Sequence, residues 1–128
     1  VVVPFAKGKA VIGQKFPPAR CVAVDVDGTL LIGSRPNARL IEWCWQKKNE
    51  GFRLMLWSAR GKDHAINAAR LCGVMDLFDA IESKPGYIVD DLGWSWIKFT
   101  KIVRDVTMDL TPEARPSGSV QPTQIDSI

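Results

Sequence analysis

Short apolar runs, each stopped by a polar residue, alternate along this chain with stretches whose apolar residues recur at helical spacing. The first run covers 20–25, where Val22-Ala23-Val24 leads into Asp25 and a Gly28-Thr29 turn follows. A short, bounded run rich in β-branched residues predicts a buried strand. Over 37–50, Leu40, Ile41, Cys44 and Trp45 share one helical face, and Gly51 stands where a left-handed cap closes a helix. A second strand is predicted over 52–57, ending at Ser58, then a helix capped by Asp63 with Ala65, Ala68, Ala69 and Cys72 on one face and Gly73 at its stop. The segment 78–81 reads as a third strand and 87–89 as a fourth that runs into Asp90, while 94–106 reads as a helix followed by a short edge strand. Strands alternating with helices predict an α/β fold: a three-layer, doubly wound parallel sheet with helices on both faces.

Punctuation sets the boundaries. Pro17-Pro18 separates a leader, 1–18, from the domain proper, 19–110, and Pro112, Pro116, Ser117, Gly118, Ser119 and Pro122 mark 111–128 as a flexible tail. At 128 residues the chain suits one domain with a single core. Its 46% hydrophobic and 24% charged residues are ordinary for a globular protein and wrong for a disordered one. No apolar run approaches a membrane span and the opening Val-Val-Val-Pro lacks the core of a secretory signal, so the expected address is cytoplasmic, without membrane partners. The net charge of +3 is modest, but residues 1–20 carry Lys7, Lys9, Lys15 and Arg20 with no acid; this basic arm is read as solvated, with contact to nucleic acid or an anionic substrate as the alternative.

Cys21, Cys44 and Cys72 have no metal-type spacing and lie in apolar surroundings, so they are read as buried free thiols. His64 is the single histidine, which excludes a histidine-rich zinc site, and a surface position near a helix start is expected for it. Trp43, Trp45 and Trp57 are read as packing residues. Trp94 and Trp96 are read the same way, with base stacking or an oligomer contact as alternatives.

The chemistry lies at the polar stops. In a doubly wound sheet, ligands bind beyond the carboxyl ends of the strands. Asp25, Ser58 and Asp90 each stand at such an end, and Lys84 lies in the loop before the last. This set suits phosphoryl transfer, where charge on the transferring oxygens must be neutralised and a nucleophile held in line. Asp25 is the candidate nucleophile, giving an aspartyl-phosphate that splits one hard hydrolysis into two displacements. Asp27 is the candidate proton shuttle, Ser58 a donor to a phosphoryl oxygen, and Lys84 the cation that offsets phosphate and Asp25. Asp25, Asp27 and Asp90, supported by Asp91, offer the hard oxygen ligands that magnesium prefers. Arg60, two residues after Ser58, is a candidate grip on a substrate phosphate.

These residues resemble the signatures of the haloacid dehalogenase-like (HAD) hydrolase superfamily. Its first signature corresponds to Asp25-Val26-Asp27-Gly28-Thr29, its second to Leu54-Met55-Leu56-Trp57-Ser58, its third to Lys84 and its fourth to Ile88-Val89-Asp90-Asp91. The resemblance spans roughly 19–106, and its first signature is the specific one. It implies a magnesium-dependent phosphomonoesterase with Asp25, Asp27, Ser58 and Lys84 in catalysis and Thr29, Ala59 and Arg60 facing the substrate. The second acid, Asp27, resembles the phosphatase branch, since family dehalogenases lack it. The compressed Ser83-Lys84-Pro85-Gly86-Tyr87-Ile88-Val89-Asp90-Asp91 stretch and Ser58-Ala59-Arg60-Gly61 are similar to small capless members.

The stretches 31–37 and 59–63 are too short for a cap domain. An open site admits a bulky phosphorylated substrate, a small molecule or a polynucleotide end, unless a homo-oligomer covers it. The competing class is a HAD-like module that binds phosphate or a partner protein with little catalysis. A receiver domain is excluded by order, because its acidic pair follows the first strand and here the pair comes last.

Overall fold

The computed structural model describes residues 17–109. They divide into two compact units: Arg20–Tyr87 with 103–109, and Ile88–Ile102 with 17–19. The rest of the leader and the tail at 111–128 lie outside the described residues.

The larger unit runs β1 (Cys21–Asp25), β2 (Leu31–Ile32), β3 (Arg35–Pro36), α1 (Ala38–Asn49), β4 (Arg53–Ser58), α2 (Lys62–Leu71) and β5 (Ala80–Ser83). β1, β4 and β5 form a parallel sheet in that order, while β2 and β3 make a separate antiparallel pair. The fold is therefore α/β with a parallel sheet, a layout compatible with a Rossmann-like arrangement. Both crossovers step the same way across the sheet, so the right-handed rule places α1 and α2 on one face. A second helical layer is not among the described elements of this unit.

Strand alternation sets the core. Val24, Leu54 and Leu56 are buried, and with Val26, Leu30, Leu40, Trp43, Cys44, Ala65, Ala68, Ala69 and Leu77 they form the hydrophobic cluster. Burying such aliphatic side chains is worth about 1.5–3 kcal/mol each. The alternate residues face the other way: Ala23, Met55 and Ala80 share one row across the sheet, and Asp25, Trp57 and Glu82 share the next. These keep partial or full exposure.

α1 forms as predicted, with Asn37 as its N-cap: the Asn37 side chain accepts the Leu40 N–H at 3.3 Å. α2 starts earlier than its side chains suggest. Gly61, at φ 109, is the N-cap and Asp63 falls in the first turn, because the sharp turn out of β4 requires a backbone conformation that favours glycine. The third strand is displaced from 78–81 to Ala80–Ser83. Phe78 is buried in the core, and Asp79 is joined to Leu54 twice, its N–H donating to the Leu54 carbonyl and its carboxylate accepting the Leu54 N–H, each at 2.8 Å, so that its side chain stands in for a ladder bond where β5 begins.

No strand forms over 87–89. Tyr87 and Val89 are 93% and 100% exposed; β-propensity without a pairing partner does not make a strand. In place of the helix and edge strand expected over 94–106, the chain has a 3-10 helix at Gly93–Phe99 in the smaller unit and a 3-10 turn at Val106–Met108 in the larger. That turn is tied to α1 by Trp43, whose indole Nε1–H donates to Asp109 at 3.2 Å.

Trp43 and Cys44 are buried as expected. Burial pushes the Cys44 thiol up to about 12 and raises Cys72 as well. Cys21 departs from the expectation: it is exposed, at the start of an edge strand. No described helix is long and apolar enough to cross a membrane.

Candidate functional site

Three parallel strands of the larger unit end together. Asp25 closes β1, Ser58 closes β4, and Lys84 follows β5 directly. The Lys84 N–H donates to the Ser58 carbonyl at 2.9 Å, extending the β4–β5 ladder by one bond. Lys84 is thus fixed at the strand edge and is not part of a free loop before a fourth strand.

β4 lies between β1 and β5, yet the Lys84 side chain bridges it. Its Nζ lies 6.0 Å from the centre of the Trp57 ring and 3.3 Å from Asp25 Oδ1. Asp25 and Trp57 are register partners, so the ammonium crosses the sheet on the face opposite α1 and α2 to reach the carboxylate. Both side chains are a little over one-third exposed, which keeps the pair reachable by a ligand and limits its worth to stability.

The loop after β1 is drawn tight. Thr29 N–H donates to the Val26 carbonyl at 3.1 Å and Leu31 N–H to the same oxygen at 2.9 Å, with Gly28 at φ 78 in the turn. A positive φ at this place favours glycine. The Thr29 carbonyl accepts from Asn37 Nδ2 at 2.9 Å, which fastens the loop to the start of α1. Asp27 projects from this turn and meets two cationic or polar groups from beyond β4. Arg60 Nη1 lies 3.4 Å from its Oδ1, and His64 Nε2 lies 3.1 Å from Oδ2 and 3.3 Å from Oδ1.

Ser58 organises that second bank. It is 1% exposed; its Oγ accepts the Arg60 N–H at 3.0 Å and its carbonyl accepts the Gly61 N–H at 3.1 Å. A serine accepting from the residue two ahead is a local turn-former. Here it swings Arg60 towards Asp27 and starts α2. Ala59 is exposed at the crest of the turn and Arg60 projects into solvent.

Asp90 and Asp91 belong to the Ile88–Ile102 unit. Within it, Asp90 Oδ1 accepts the Leu92 N–H at 2.8 Å and its carbonyl accepts the Gly93 N–H at 3.1 Å, opening the 3-10 helix; Asp91 is exposed. Trp94 is 73% exposed in the same unit and Trp96 partly buried.

The donor chemistry at the end of β1 fits a hard cation, since Asp25 and Asp27 present partly exposed carboxylates. Among the described residues, no group of three or more His, Cys, Asp or Glu side chains is gathered as a cation cage. His64 is the residue that sequence reasoning missed. Its signal was its place just after the Ser58 turn, readable only once α2 is known to start at Lys62 and so to present His64 to the Asp27 loop. No protein-family model, curated protein sequence or solved structure matches this chain.

Proposed function

We propose that this protein is a magnesium-dependent phosphomonoesterase of the HAD type, acting through an aspartyl-phosphate on Asp25. The observation that carries the reading is the Lys84–Asp25 pair, 3.3 Å apart and built across β4 from two non-adjacent strands. A sheet gains little from an ion pair placed there, whereas a nucleophilic carboxylate attacking a dianion needs a cation beside it. In this reading the β1–β4–β5 sheet belongs to a doubly wound core.

In the first displacement an Asp25 carboxylate oxygen forms a bond to phosphorus while the ester P–O bond breaks, and a proton passed through Asp27 goes to the leaving oxygen, which leaves Asp27 as the carboxylate. In the second, water attacks phosphorus and passes a proton to Asp27, and the bond to Asp25 breaks to release inorganic phosphate. Lys84 counters the charge of Asp25 and the phosphoryl oxygens, and the exposed Arg60 guanidinium, with donors beyond the one facing Asp27, would meet a substrate phosphate or its neighbour. Ser58, having accepted from Arg60, retains one hydroxyl proton for a group that reaches its buried position. Magnesium, for which Asp25 and Asp27 of the larger unit offer carboxylate oxygens, would supply charge neutralisation at the phosphoryl group.

Between β1 and α1 the chain holds only the Gly28 turn and the β2–β3 pair, and between β4 and α2 only the Ser58 turn. Neither stretch has a cap, which favours bulky phosphorylated substrates, including a polynucleotide end. Hydrolysis of a generic aryl phosphate by the purified protein with magnesium tests the reaction. It is expected to vanish in Asp25→Asn; unchanged turnover by that variant would sink the mechanism. A purified protein that neither turns over the aryl phosphate nor binds beryllium fluoride with magnesium would favour a phosphate-binding or protein-interaction module in its place.

A further inference from the structure

We propose that His64 is a positioning residue: its Nε2–H, together with Arg60, clamps the Asp27 carboxylate in the orientation needed for proton transfer. The inference rests on the reading of Asp27 as proton shuttle and adds a residue that the signature motifs do not include.

The geometry carries it. Asp27 sits on a turn pinned by the Thr29 and Leu31 N–H bonds to the Val26 carbonyl, so its backbone is fixed while its side chain, 48% exposed, has solvent on one side. An exposed aspartate there would ordinarily sample several rotamers. His64 Nε2 spans both carboxylate oxygens, at 3.1 and 3.3 Å, and Arg60 Nη1 approaches Oδ1 at 3.4 Å. Two donors reaching from one side fix the plane of the carboxylate and leave its solvent side for a leaving oxygen. In the ionised form that receives the proton from water, Asp27 only accepts, so the contact assigns the ring proton to Nε2.

His64 is the better anchored of the two. It lies on α2, whose buried Ala65, Ala68 and Ala69 lock the helix against the core, and its side chain is 26% exposed against 67% for Arg60. The groups around the pair are accounted for: Arg60 faces Asp27 from the β4–α2 turn, and Lys84 is taken up by Asp25. A misplaced catalytic group costs rate more than affinity. His64 is therefore expected to govern kcat with little effect on KM.

The test has two arms on the full chain. Since the chain has a single histidine, 15N spectra of its ring are free of overlap. At about pH 8 they should report the Nε2–H tautomer in the wild type and a weakening of that preference in Asp27→Ala, which removes the acceptor. Identical ring spectra in the two proteins would overturn the pairing. In the kinetic arm, His64→Ala should lower kcat about ten- to a hundredfold with KM changed less than about twofold. His64→Gln, which keeps an N–H donor, should recover most of that loss. Full activity in His64→Ala, or equal loss in both variants, would overturn the positioning role while leaving the phosphatase reading intact. A wild type without phosphatase activity would overturn both the phosphatase reading and the positioning role of His64, with the spectra still deciding whether the pair exists.

Discussion

Leu54, Leu56 and Ser58 lose almost all contact with solvent, whereas Met55 and Trp57, their neighbours in the same strand, keep part of theirs. The first set faces α1 and α2, and the second lies on the face that Lys84 crosses to reach Asp25. The acidic pair is divided in the same way. Asp25 sits in the Trp57 row and finds its partner there; Asp27, beyond the strand, finds its partners in the Ser58 turn and α2. One face thus supplies rigidity and holds the Asp27 partners in place, while the other leaves a carboxylate and an ammonium open to a ligand. Alternation along a strand lets neighbouring residues serve both ends without competing for space.

The largest expected effect breaks the open face. Asp25→Asn should lower aryl phosphate turnover by at least about a thousandfold and Lys84→Met by about a hundredfold, each with the fold retained. A Lys84→Met enzyme as active as wild type would separate the ion pair from the chemistry.

The buried face is probed by stability. Leu56→Ala should cost about 2–5 kcal/mol in urea unfolding through cavity formation, and Met55→Ala only about 1 kcal/mol. Equal losses would mean that a second layer packs over Met55 in solution, as a doubly wound core requires.

A smaller effect concerns the start of β4. The Leu54 N–H, then burial acting in the opposite sense and the Lys48 ammonium, leave the Asp79 carboxyl below its ordinary range. A carboxyl depressed by folding contributes stability above its unfolded pKa of about 4 and loses it as pH falls through the lower folded value. Asp79→Ala should cost about 1–2 kcal/mol at neutral pH, and the difference from wild type should shrink on acidification below about pH 4. A constant difference across that range would remove Asp79 as an acid-labile tether.

The smallest effect is chemical. A thiol reagent should label exposed Cys21 in the native protein and reach Cys44, whose thiol is pushed up to about 12, only on unfolding. Labelling of both at equal rates would erase the distinction between the two environments.

The strands β1 and β4 and the helix α1 were legible in the sequence because their apolar periodicity and their Asn37 and Gly51 boundaries agree with the packing. The polar stops at Asp25 and Ser58 were legible for the same reason: a buried strand has no use for them in its core. β5 was misplaced because its last residues, Glu82 and Ser83, are polar and owe their strand to pairing with β4. The 87–89 segment erred the other way, since Tyr, Ile and Val favour strands but supply no partner.

By itself, then, the sequence determined which residues bear charge at strand ends and that the segments alternate between strand and helix, because these follow from local patterning. Only the tertiary structure decided that Lys84 crosses Trp57 to Asp25, that Ser58 is buried as the organiser of a turn, and that the single histidine meets Asp27. Those contacts join residues distant along the chain, and their distances are set by strand order and by the residue at which α2 begins, neither of which is written in local periodicity.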